Sequence, residues 1–294
     1  MTKEKQVSEK VLLISIIVSM FFWGLSWPSA KVLTNFCSPI NFGVYRYIIV
    51  LATLFPILLL LRSQIIIKRA GIPYLIASGI LLALYSYFFY MGLKNGSAGA
   101  GGVLVTTLNP IMAYAWGMLL KRSMPSRNEA IGLVLGLIAG CILLRVWNSF
   151  HILLESGNLY FLLAAFSWAV MSKFTSKASS YGSPLSFIFW QYVVTLVCLL
   201  PLIEVAEAKA VFQIQEQKFW LNLFFSSAIV TSLATTIYFY ATTRLGAEKA
   251  SSFIFMVPLA AAVSSWIFLD EKMLMHTIVG GVVGIAAVYT INRK

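Results

Sequence analysis

The chain has 294 residues, of which 60% are hydrophobic and 11% charged, with a formal net charge of +12. Its mean hydropathy is +0.85, more apolar surface than a soluble domain of this length can hide, so the solvent around it is lipid. The positive charge does not mark a nucleic-acid binder, because the basic residues sit in short clusters between long apolar runs, as the positive-inside rule predicts.

A membrane helix needs roughly 20 apolar residues. The sequence places ten, near 11–33, 40–61, 73–93, 98–120, 128–147, 157–177, 185–205, 219–242, 249–269 and 274–291. The predicted class is all-α and integral to the membrane. Residues 1–22 start like a secretory signal, with Lys3, Lys5 and Lys10 before an apolar run. No small-residue cleavage site follows, and the run continues through Trp23 and Trp27, which reads as an uncleaved first span. Connections are short, and no P-loop pattern occurs.

The second half repeats the first. At an offset of 145, Trp23 pairs with Trp168, Ser38-Pro39 with Ser183-Pro184, Tyr47 with Tyr192 and Pro56 with Pro201. From Trp23 to Pro56, eight of 34 positions are identical at that offset, a register too long for chance. Further on the offset becomes 148 and pairs Pro110 with Pro258, Gly132 with Gly280 and Gly136 with Gly284. The expected organisation is a five-helix repeat over 1–148 and another over 149–294, packed as one membrane domain. Five spans per repeat is an odd number, so the second repeat inserts upside down. Inverted repeats supply two similar bundles that rock around a central site, the basis of alternating access. With the N-terminus inside, fifteen basic residues face inward and six outward. Both termini are therefore expected in the cytoplasm.

Ionisable or polar groups inside a span are functional candidates, because hydrocarbon penalises them. Arg46 lies about six residues into the second span, roughly 9 Å below the outer boundary. Two readings stay open: a guanidinium that meets a substrate carboxylate, or one that snorkels outward beside Tyr45 and Tyr47. Its repeat mate is Gln191. Pro110 and Pro258 each remove a backbone donor near mid-span and are expected to gate or kink the pathway. Asn109 adds a polar group at the midplane. Thr231, Thr235 and Tyr238 follow an i, i+4, i+7 spacing and are expected on one α-helical face. Tyr85 falls near the midplane, whereas Tyr87 and Tyr90 are expected in the interfacial belt. Trp23, Trp27 and Trp168 form an aromatic wall or pack against a neighbouring helix. Gly132, Gly136 and Gly140 recur every fourth residue, as do Gly280 and Gly284, a packing pattern. No acidic residue falls in mid-span: Glu129, Glu248, Asp270 and Glu271 are all terminal. Cys37, Cys141 and Cys198 have no metal or redox spacing, and His151 and His276 have no ligand-spaced partner.

The segments Phe22-Trp23-Gly24, Asn109-Pro110, Val257-Pro258, Asp270-Glu271-Lys272 and Gly280-Gly281-Gly284 resemble the EamA-type branch of the drug/metabolite transporter superfamily. The resemblance covers residues 11–291. It implies ten helices in two repeats and a carrier that exports, or sometimes imports, amino acids and other small metabolites. One departure stands out: family members often carry a Glu after the fourth helix of each repeat, and here Glu271 is matched by Ser123.

The expected function is a secondary transporter, an exporter of amino acids or related zwitterions across a bacterial cytoplasmic membrane. Candidate substrate-binding residues are Trp23, Trp27, Arg46, Tyr85, Asn109, Trp168, Gln191, Thr231, Thr235 and Tyr238, with Pro110 and Pro258 as gating positions. Its partners are a small-molecule substrate and the lipid bilayer, with no nucleic acid, and the chain is a monomer or weak homodimer. No cofactor, metal or catalytic residue is expected. A multidrug or quaternary-cation carrier is the alternative within transport; the missing membrane carboxylate tells against it. An enzyme acting on lipid-linked substrates would need a cluster of acids, bases or metal ligands that the sequence does not assemble.

Overall fold

The computed structural model describes residues 8–96, 98–121, 124–148, 156–261, 263 and 274–293. They are helical, with no strand among them. The helices are α1 (Glu9–Leu33), α2 (Pro39–Leu60), α3 (Ile72–Asn95), α4 (Ala98–Lys121), α5 (Arg127–Leu144), α6 (Ser156–Thr175), α7 (Pro184–Leu199) and a short α8 (Val205–Val211). Then come α9 (Gln217–Phe224), a π-helix (Phe225–Thr235), α10 (Thr236–Leu245), α11 (Ala247–Ser252), a 3-10 turn (Phe253–Met256) and α12 (Met275–Asn292). Among the described residues, nine helical segments are long and apolar enough to cross a membrane, with α9, the π-helix and α10 forming one of them. The tenth expected span, 249–269, begins with α11 and stays helical over 257–261. Its remainder lies largely outside the described residues, as do Ser123, His151, Asp270, Glu271 and Lys272.

Local chemistry sets the helix ends. Ser126 and Glu129 form a reciprocal capping box at the start of α5, which ends on Arg145 in the left-handed conformation. Prolines open α2 and α7 at positions where a missing N–H costs nothing. Lys31 donates to the Leu93 carbonyl and, at 3.0 Å, to that of Gly96, so its ammonium satisfies carbonyls at the end of α3. Glu207 on α8 does the converse for α2. Its carboxylate accepts from the Ser38 N–H at 2.6 Å and the Asn41 amide at 2.6 Å. The Tyr45 hydroxyl donates to the Ala208 carbonyl at 2.6 Å, strapping α8 across that helix start. Burial pushes the Cys37 thiol beside it up to about 12, with the Glu207 charge adding to the effect.

Helices pack in matched pairs. α3 lies along α6, and α1 along the π-helix; α3 also meets α7, and α2 the π-helix. α2 packs on α7, and α5 on α12. The α5–α12 seam depends on absent side chains. A Cβ on Gly132 would fall 2.4 Å from Ile291 Cγ1 and 2.9 Å from the Ala287 carbonyl oxygen. A Cβ on Gly280 would fall 2.6 Å from Leu143 Cγ and 3.3 Å from the Ala139 carbonyl oxygen. The glycines expected to serve packing do so.

Candidate substrate cavity

One cavity opens between α1, α2, α3, α4 and the π-helix. It runs from the middle of the bundle toward the face opposite the chain termini, as its lining on α1 (Trp23 to Ala30) and α3 (Leu82 to Phe89) shows. Its free space is about 50 Å³, room for a few waters rather than for a metabolite.

Among the described residues, Arg46 is the only Lys, Arg, Asp or Glu in the lining. Its Nε donates to Thr231 Oγ1 at 2.6 Å, and its Nη1 to the Tyr90 hydroxyl. Its guanidinium carbon stands 5.9 Å from the centre of the Tyr90 ring. These partners are neutral hydroxyls, and Nη2 has no acceptor among the described residues. Snorkelling is therefore not what this side chain does. Tyr45 and Tyr47, the residues expected to lead it outward, are engaged elsewhere: Tyr47 is buried and bonds Ser86 Oγ at 2.7 Å. Tyr90 corrects another expectation. It is fully buried and is Arg46's neighbour, not a belt residue. A shared side was the available signal, since Tyr90 lies near the end of its span and Arg46 near the start of the one before it.

The eighth span also departs from expectation. Thr231 and Thr235 belong to the π-helix, and their hydroxyls donate five residues back, to Ser226 O at 2.8 Å and Val230 O at 3.0 Å. The side chains thereby share the carbonyls of a wider backbone ladder. Both threonines line the cavity, whereas Tyr238, beyond the π segment, is fully buried and outside the lining. The single α-helical stripe expected for the three residues does not form.

Aromatic rings build the floor. Trp23 and Trp168 meet edge to face at 5.1 Å between ring centres. Tyr238 packs on both, at 4.9 Å and 5.6 Å. Tyr85 lies 4.6 Å from Trp168, and Trp27 4.9 Å from Phe89. Trp23 Nε1 donates to Thr235 Oγ1 at 3.2 Å, which fixes the indole. Tyr47 and Tyr192 face each other at 5.8 Å.

Of the sequence candidates, Trp23, Trp27, Arg46, Tyr85, Asn109, Trp168, Thr231 and Thr235 line the cavity, and Gln191 and Tyr238 do not. Tyr47, Phe89, Thr106, Tyr192 and Ser226 line it without having been singled out. Asn109 is buried, and its Oδ1 has no partner among the described residues. Pro110 stands inside an unbroken α4, with no N–H to give the Thr106 carbonyl. Pro258 follows the 3-10 turn instead, so the two prolines act on different backbones. A Cβ on Gly284 would sit 2.8 Å from the Phe255 carbonyl oxygen, a close approach that glycine permits.

An all-helical bundle with this many apolar spans around one polar, aromatic cavity defines a multi-pass membrane transporter. The comparisons name the family. The chain matches the EamA-like transporter family over residues 10–145 and again over 155–293, and it belongs to that family, one of transporters rather than enzymes. It is 28% identical to the WAT1-related protein At3g02690, chloroplastic, of Arabidopsis thaliana, over 94% of this chain and 68% of that one. It is 25% identical to the uncharacterized transporter YoaV of Bacillus subtilis (strain 168), over 92% of both chains. A solved structure described as the crystal structure of a protein superposes with a TM-score of 0.69 at 14% identity, covering 97% of this chain and 98% of that one. That likeness concerns the fold alone.

Proposed function

We propose that the chain is a secondary carrier that exports amino acids or related small carboxylate-bearing metabolites, working by alternating access between two inverted five-helix repeats. The observation that carries the substrate class is Arg46, a permanent cation in the cavity whose protein partners are neutral hydroxyls. A guanidinium in a low-dielectric site calls for an anion, and a carboxylate matches its fork. The aromatic walls suit an apolar side chain.

Repeat mates support the inverted arrangement. Trp23 touches Trp168, and Tyr47 touches Tyr192. Residues related by a two-fold axis touch each other only beside that axis, so these two contacts are what an axis through the middle of the bundle would produce. Off the axis, contacts exchange partners. Gly132 meets Ala287 and Ile291, while Gly280 meets their mates Ala139 and Leu143. The basic residues favour both termini on the cytoplasmic side, and the membrane of the proposal is the bacterial cytoplasmic one. The chain then works as a monomer or weak homodimer.

The rings give the quaternary-cation reading its own support, since they can hold an ammonium. Arg46 opposes it by repulsion. Ligand-induced thermal stabilisation of the purified protein separates the two. A ligand at 100 times its dissociation constant adds about 2.7 kcal/mol when it binds only the folded state. Stabilisation by particular amino acids, lost in Arg46→Gln, is the expected result. Stabilisation by organic cations alone would sink the carboxylate assignment.

A further inference from the structure

We propose that a second cavity for the same substrate, closed in this structure, lies in the half of the bundle nearer the chain termini and is lined by Ser172, Thr175 and Gln191. The inference rests on the inverted-repeat carrier reading above.

The repeat register supplies the map. Trp27, Ala30 and Arg46 line the open cavity. At the 145-residue offset their mates are Ser172, Thr175 and Gln191. All three mates have 0% exposure, against 6% for Trp27, 3% for Ala30 and a half-buried Arg46. In an inverted repeat, the wall that is open in one half is shut in the other, and the two exchange when the carrier turns over.

Unspent polarity supports the map. Thr175 Oγ1 donates to Gln191 Oε1 at 3.1 Å, but Gln191 Nε2 and Ser172 Oγ have no hydrogen-bond partner among the described residues. The Tyr238 hydroxyl lies beside Ser172 and the Trp168 indole, close enough to interact with both but outside good hydrogen-bond geometry. Orphaned amides and hydroxyls are costly in a dry interior, and each one calls for an explanation. Apolar residues would fill a permanently closed wall better. A wall that is periodically hydrated, or occupied by substrate, needs these groups.

A lock stands at the closed end. Lys173, next to Ser172 at the end of α6, pairs with Glu248 on α11 at 2.6 Å. A Cβ on Gly117 would fall 2.5 Å from Glu248 Oε1, so α4 closes against the same carboxylate. The open cavity has no such lock from the repeat, because the mates of Lys173 and Glu248 are Pro28 and Ala100. The chemistry of the two cavities also differs. A substrate carboxylate meets a fixed cation on one side. On the other it meets an amide, which donates and accepts without charge. The face with the termini therefore binds the same substrate more weakly, so export from that face is loaded by a high internal concentration of substrate rather than by affinity.

Cysteine access tests this in a protein whose Cys37, Cys141 and Cys198 are replaced by Ala. Thr175→Cys and Ala30→Cys are labelled in sealed proteoliposomes of known orientation with a charged, impermeant methanethiosulfonate, and modification is read by mass. The reagent reaches Thr175→Cys from the face with the termini and Ala30→Cys from the opposite face. Glu248→Gln and Lys173→Gln are added separately to release the lock. The expected result is labelling of Thr175→Cys about tenfold faster with the lock released, and slower labelling of Ala30→Cys, as a population shift requires. If Ala30→Cys slows while Thr175→Cys stays unlabelled, the carrier alternates along another wall, and this assignment falls while the carrier reading stands. A rise at both sites means the bundle has merely loosened and overturns the proposal. No change at either site with both lock variants overturns the proposal and the alternating-access reading together.

Discussion

The helices α2 and α7 share a sequence pattern at an offset of 145 residues and hold different chemistry. Both open on Ser-Pro, both carry a tyrosine at the same step, and those tyrosines touch across the middle of the bundle. One step before the tyrosine they part. Arg46 lines the cavity and bonds Thr231 and Tyr90, while Gln191 is sealed against Thr175. The comparison teaches that two helices of like pattern hold position and depth, and that a single side chain assigns chemistry to one of them. A guanidinium keeps its charge and needs an aqueous or anionic neighbour. An amide tolerates closure at smaller cost.

The sharpest way to break the comparison is to move the charge. Gln191→Arg places a cation in the closed half without a counter-ion, which should cost several kcal/mol. The expected outcome is a large fall in melting temperature or failed insertion, read by thermal unfolding in detergent. A Gln191→Arg protein as stable as the parent would mean that the two halves are equally hydrated. Next in size is Arg46→Gln, which makes the halves alike. It should weaken carboxylate binding by roughly 2–5 kcal/mol, as truncating one side of a buried charge pair does, with little loss of stability. Titration calorimetry with the ligand found in the thermal screen checks it.

Smaller effects probe the scaffold. Gly132→Leu and Gly280→Leu should each destabilise by about 1–3 kcal/mol through overpacking. Because the contacts exchange between mates, the two losses should be similar, and a lopsided pair of melting curves would argue against a symmetric seam. Glu207→Ala removes an acceptor from the start of α2 and should cost about 1 kcal/mol. The neighbouring Cys37 gives a pH readout. Its folded-state thiol, held near 12, stays protonated while an unfolded one ionises from about 9. This contribution to stability is therefore complete below pH 9 and is lost as pH rises toward 12. Alkylation of the folded protein by maleimide should remain slow up to pH 9.

Much of the scaffold was legible because hydrocarbon imposes length. Nine of the ten apolar runs map onto observed helices among the described residues, and the glycine spacing maps onto the α5–α12 seam. Arg46 was legible because charge inside a span is rare, but its two readings could be separated only by seeing Tyr47 and Tyr90 buried beside it. Phe89 escaped notice, and the sequence marks Tyr90 and Tyr192 only as a belt residue and a repeat mate, because periodicity is mute when nearly every face of a helix is apolar. The π-helix escaped for a related reason. Its residues have ordinary helical sequence, and the extra carbonyl sharing by Thr231 and Thr235 emerges only once a backbone exists to share.

That π-helix has a consequence on the clock as well as in space. Its ladder is less favourable than that of the α-helices on either side, and it is braced by hydroxyls that also hold Arg46 and Trp23. Exchange of its amide protons with deuterium should begin earlier than in α9 or α10. Ligand held by Arg46 should slow that exchange, so the isotope uptake of eleven residues, Phe225–Thr235, becomes a reporter of occupancy that needs no label.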